Sequence, residues 1–173
     1  MKSTKTPNLT MMRSDEAAEA AKSLQLKGLE LPKRPQHERP DLEDADITSL
    51  DDEQLTDLLV LYTAWSNWAN VTLTIAEIDE RCINRKVEIA EAFAMVRDWG
   101  GSSNDRVSVT KAERELDEEV QERKQKQLEA YAYRKLAAVE LESIEQDRFA
   151  VSREITRRGG GDAKTRRADR FSR

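Results

Sequence analysis

One cysteine (Cys82) and one histidine (His37) stand in a chain of 173 residues. A disulfide framework needs paired cysteines and a zinc cluster needs several Cys or His ligands, so both are excluded. A lone thiol in a charged chain fits a reducing compartment. Aromatic residues make up 5% and hydrophobic residues 38%, against 36% charged, and the mean hydropathy is −0.79. A conventional enzyme of this length draws on a richer apolar supply. Proline is absent after Pro40, and the glycines fall only at Gly28, Gly100, Gly101, Gly159, Gly160 and Gly161. Mixed and all-β folds need turn signals about every ten residues, and 41–99 and 102–158 contain neither breaker. The least charged stretch, Leu58 to Ala76, is interrupted by Thr63, Ser66, Asn67, Asn70, Thr72 and Thr74. No membrane span is expected there, and no apolar run after Lys2 and Lys5 suggests a secretory signal. The expectation is a soluble protein without membrane contact.

Charge is present in quantity but segregated. The formal net charge is −5, yet residues 157–173 hold seven basic and two acidic side chains, while Asp41–Asp57 holds eight acidic and no basic ones. The body is acidic and both ends are basic.

The unbroken stretches read as an all-α fold: a long antiparallel two-helix hairpin, coiled-coil-like and oligomeric, with helices at about 50–99 and 110–158. An extended arm (1–48) precedes it. Within the arm a short helix is expected at 14–27, with Ser14 as N-cap and Gly28 as its stop, and then a Pro-rich tether at 32–40. Leu24, Leu26, Leu29 and Leu31 are the expected anchors, and the arm is expected to reach a neighbouring subunit or partner. Ser49-Leu-Asp-Asp52 reads as the capping-box start of the first long helix, and Thr110-Lys-Ala-Glu113 as that of the second. Gly159 to Gly161 read as a helix stop, leaving 159–173 as a flexible, disordered basic tail.

The first long helix carries two apolar faces. Leu58, Leu61, Trp65, Trp68, Ile75, Cys82, Ile89, Phe93 and Val96 define one. Leu55, Leu59, Tyr62, Ala69, Leu73, Ala76, Ile83, Val87 and Ala90 define the other. A hairpin buries one stripe, so two stripes imply a further neighbour, most simply a second copy. The expected oligomer interface is Leu58, Leu61, Tyr62, Trp65, Trp68, Ile75, Ile89 and Phe93. In the second helix, Val120 is the one apolar residue between Leu116 and Leu128, so that stretch is expected to be solvated.

Chemistry is hard to place on this chain. No Ser/His/Asp, Cys/His or phosphate-loop arrangement is present, so no catalytic residue, cofactor site or metal site is expected and the chain is not read as an enzyme. Glu77, Glu80, Glu88 and Glu91 share helix faces but lack the histidines of a di-metal bundle. The strongest functional signal is the basic C-terminus: Arg157, Arg158, Lys164, Arg166, Arg167, Arg170 and Arg173 are the candidate nucleic-acid-binding residues. A solubilising tail, or one that docks on the acidic segment of a neighbouring subunit, stands beside it as the alternative.

The layout resembles a group of bacteriophage proteins that includes the UvsY-type recombination mediators. The likeness is an N-terminal arm, a long helix, a short polar connection and a second helix whose C-terminal half reads Tyr133-Arg-Lys-Leu136, Leu141-Glu-Ser-Ile144, Asp147-Arg148 and Ser152-Arg-Glu-Ile-Thr-Arg-Arg158, and it covers about residues 50–158. The resemblance implies a ring-forming accessory protein of the host cytoplasm that binds single-stranded DNA and helps load a phage recombinase. The Lys/Arg-rich stretch that the family carries early has no equivalent in 41–80, which moves the expected DNA contact to Arg157–Arg173. The alternative is a virion structural protein (a head, neck or minor capsid-associated subunit) acting through its N-terminal arm.

Overall fold

A computed structural model describes residues 14–42, 46–98 and 117–171, apart from the side chains of Asp98 and of residues 161–171. Among the described residues there are three helices: α1 (Asp15–Leu26), α2 (Asp52–Asp98) and α3 (Glu118–Phe171). No strand occurs among the described residues.

Each helix start has a local chemical cause. The Ala17 N–H donates to the Ser14 hydroxyl at 3.2 Å, and Asp15 and Glu16 occupy the positive first turn of α1. At its other end, Gly28 has φ 78°, while the Leu29 N–H reaches the Leu24 carbonyl and the Gly28 N–H reaches that of Gln25. These paired bonds around a left-handed glycine form a Schellman stop. At α2 the cap is Asp51 rather than Ser49. The Gln54 N–H donates to Asp51 Oδ1 at 2.8 Å, and Gln54 Oε1 accepts the Asp51 N–H at 3.0 Å. Ser49 is diverted into a turn, where its hydroxyl donates to the Asp46 carbonyl at 2.7 Å. Asp117 caps α3 through the Val120 N–H at 3.0 Å. The Thr110–Glu113 capping box and Trp99-Gly100-Gly101 lie outside the described residues.

The chain divides into two compact units, and α2 and α3 run through both. The first comprises Met1–Glu30 and Thr72–Ala137. Its cross-helix partners run in opposite order: Glu80 with Arg134, Asn84 with Gln127 at 2.9 Å, Glu91 with Lys124 at 3.0 Å, and Arg97 with Asp117. The helices are therefore antiparallel. Buried Ala76, Ala90, Ala94, Ala130 and Ala137 let the backbones approach closely, with Val87 and Val120 filling between them. Val120 lies in the stretch expected to be solvated; it is buried because Ala90 and Ala94 leave room for it.

The second unit comprises Leu31–Val71 and Ala138–Arg173. Leu55, Tyr62, Trp65 and Ala69 of α2 meet Ile144 and Val151 of α3, with Leu42, Ile47, Leu50, Leu141 and Ile155 packed around them. Each large side chain here contributes about 1.5–3 kcal/mol through burial. Here too the pairing is antiparallel, with Asp52 at the start of α2 beside Arg158 of α3.

Two further expectations need correction, the glycine stop of the second helix and the anchoring of the arm through Leu26 and Leu29. Gly159 to Gly161 do not stop α3, which stays helical to Phe171. Glycine costs roughly 1 kcal/mol in a helix but keeps its N–H and has no ring to clash, and Ala163, Lys164, Arg166, Arg167 and Ala168 favour continuation. The described part of the arm lies on the chain's own helices: Ser14 bonds Asp79, and Arg39 bonds α3. Leu26 and Leu29 are exposed instead of anchoring it.

Candidate nucleic-acid interface

The last described turns of α3 separate its cations into two kinds. Arg153 and Arg157, four residues apart on one face, are both exposed. The Arg157 guanidinium forks onto Glu154, Nε to Oε2 and Nη2 to Oε1, each at 2.7 Å. Arg158 points elsewhere. Its Nε donates to Glu154 Oε1 at 2.8 Å, and its Nη1 donates to the Leu50 carbonyl at 2.7 Å and to Asp52 Oδ1 at 3.0 Å. Its Nη2 reaches the Thr48 carbonyl at 3.0 Å. Arg158 thus ties α3 to the entry of α2 through charge-assisted hydrogen bonds to the carbonyls of the turn before the cap. Of the remaining sequence candidates, Lys164, Arg166, Arg167 and Arg170 lie on the helical backbone of α3, and Arg173 lies outside the described residues.

Hydrogen bonds from Arg157 and then Arg158 hold the buried Glu154 carboxyl down at about 2, and Glu154 in turn raises both guanidiniums. Both arginines therefore stay cationic at any working pH. What the α3 terminus can do is present fixed positive charge.

The expected oligomer-interface residues divide sharply. Tyr62 and Trp65 are buried in the chain's own core, with Leu58, Leu61 and Trp68 packed against it. The Tyr62 hydroxyl donates to the Pro40 carbonyl at 2.8 Å, and burial, then the charge of Asp147, pushes the phenol up to about 12. Arg34 lies over Trp65 at 5.6 Å and over Trp68 at 5.8 Å. Intramolecular neighbours have taken these positions, since α3 and residues 31–42 supply the cover expected of a second subunit. Ile75 is half-buried, whereas Ile89 and Phe93 are exposed.

Two functional-looking groups had no sequence signal. Arg39 grips α3 at three points: Glu140 at 2.9 Å, Ser143 at 2.7 Å and Asp147 at 2.5 Å. Asp79 is buried and takes the Ser14 N–H on Oδ1 at 2.7 Å, at the positive end of α1. It lines an open groove of about 320 Å³ with Lys86, Lys126 and Tyr133. Asp79 could have been singled out only by its position between Ile75 and Ile83 on an apolar helix.

Among the described residues, no three His, Cys, Asp or Glu side chains gather as metal ligands, and no helix is long and apolar enough to cross a membrane. Comparison with protein-family models, curated proteins and solved structures finds no match to this chain.

Proposed function

We propose that this chain is a non-enzymatic accessory protein that binds single-stranded DNA without sequence preference through the cationic end of α3. In this reading it works as a homo-oligomer of the recombination-mediator kind, with a phage recombinase as its protein partner. The observation that supports it is the exposed pair Arg153 and Arg157, leading into a segment where Lys164, Arg166, Arg167 and Arg170 continue on the same helical backbone. Arg158 drops out of the DNA-binding set because its side chain is covered at the start of α2, 23% exposed, whereas Arg157 stays 67% exposed while forked onto Glu154. A virion role acting through the N-terminal arm draws no support from residues 14–42, which lie on the chain's own helices.

Binding of a labelled oligothymidine, followed by fluorescence anisotropy, tests the reading. Five to seven phosphate contacts, at a slope of about 0.7 each, weaken binding roughly 10²–10³-fold between 50 and 200 mM salt. Deleting residues 159–173 removes Lys164, Arg166, Arg167, Arg170 and Arg173 and should abolish binding. Unchanged affinity in that truncation overturns the proposal.

A further inference from the structure

Leu61, Trp68, Ile75, Cys82, Ile89 and Val96 recur on α2 at intervals of seven. A strict seven-residue apolar repeat is the seam pattern of a helix that pairs lengthwise with another. This seam differs from the buried line through Leu55, Tyr62, Ala69, Ala76, Val87 and Ala90. Its early members are covered by the chain itself: Leu61 and Trp68 pack on the core of the second unit. Its last members are bare. Ile89 is 43% exposed, Val96 71%, and Phe93, one turn from each, 72%.

We propose that a second copy of this chain seats on the stripe Ile89–Phe93–Val96, pairing α2 with α2. Those three side chains expose on the order of 400 Å² together, the size of the largest apolar patch on a typical monomer. Two copies meeting through them remove about 800 Å² from water. Flanking residues such as Ala92 and Met95 bring the contact toward the roughly 1,200 Å² at which specific interfaces begin. The stripe is self-complementary, apolar against apolar, as a two-fold contact requires. Its exposed cationic neighbours each face a carboxylate of the same chain: Arg85 pairs with Glu88 at 3.9 Å, Lys86 with Glu16 at 3.6 Å, and Arg97 with Asp117. The face therefore suits neither a nucleic acid nor a strongly charged protein. The inference rests on the oligomeric part of the reading above and not on its nucleic-acid part.

Sedimentation equilibrium of the full chain without DNA tests it. The wild type should be dimeric or larger at tens of micromolar. The double variant Phe93→Asp, Val96→Asp should run as a monomer while keeping the wild-type far-UV circular dichroism. Val139→Asp, at an exposed position on α3, should leave the mass unchanged, as should deletion of 159–173, which separates this test from that of DNA binding. A monomeric wild type overturns the proposal, whether another protein or the chain's own residues cover the stripe. An unchanged mass in the double variant overturns it as well.

Discussion

Arg158 holds Glu154 from one turn further along α3, its Nε donating to Glu154 Oε1 at 2.8 Å. The remaining donors of the same guanidinium take the carbonyls of Leu50 and Thr48. One side chain thus joins a carboxylate on α3 to the turn that starts α2. With the Glu154 carboxyl held at about 2 against an ordinary 4.5, its contribution to stability is complete above about pH 4.5 and is lost as pH falls toward 2.

The pH dependence follows directly. Scanning calorimetry of the wild type should show a melting temperature that drops through the window from pH 4.5 to 2. Glu154→Gln should be less stable at pH 7 and should have a flatter profile across that window, so that the two curves converge in acid. Parallel curves would mean that the contacts of Glu154 with Arg157 and Arg158 contribute nothing.

Arg39 fastens residues 31–42 to α3 through Glu140, Ser143 and Asp147. Its guanidinium fork matches this three-point arrangement, and a lysine ammonium does not. Arg39→Ala should cost about 1.5–3 kcal/mol, the range for hydrogen bonds to charged groups, and Arg39→Lys should recover only part of it. Both substitutions should shift tryptophan emission to the red, since Trp65 and Trp68 lie beneath Arg34 in the same segment. Unchanged emission in Arg39→Ala would show that the strap stays in place without its anchor.

Features set by neighbours in sequence were legible before the structure. Ser14 before two acids and Gly28 after the last turn mark both ends of α1, because caps are chemistry within a few residues. The all-helical hairpin followed from the absence of breakers. The choice between the two faces of α2 was not legible, since both are apolar and only the course of the chain shows that residues 31–42 and α3 cover Trp65 and Tyr62. Arg39 could not be read at all: its partners lie 101 to 108 residues away, and nothing near Arg39 signals them. The slip of the α2 cap from Ser49 to Asp51 has a plainer cause. Several capping residues stand side by side at 46–52, and the turn at Asp46 takes the serine first.

Core packing of the second unit gives a direct contrast. Ile144 is fully buried between Leu55 and Val151, whereas Leu136 is largely exposed on the same helix. Ile144→Ala should lose about 2–5 kcal/mol in urea unfolding, and Leu136→Ala should stay within about 0.5 kcal/mol of wild type. Equal effects at the two positions would contradict the helix rotation that puts Ile144 inside.

Glycines at the two ends of the chain should respond in opposite directions. Gly28 has φ 78°, so an alanine there is strained even though its Cβ would meet nothing within 4 Å. Gly28→Ala should cost about 1 kcal/mol, making α1 open roughly fivefold more often, which hydrogen exchange of its amides would report. Gly159 and Gly160 also have open space at the Cβ position, but their backbone is helical. Alanine there removes a glycine penalty of about 0.5–1 kcal/mol per site without strain. Gly159→Ala with Gly160→Ala should therefore deepen the ellipticity at 222 nm and slow exchange through residue 171. No gain in helicity would mean that the glycines end α3 after all, and that the cations beyond them are not carried on a helix.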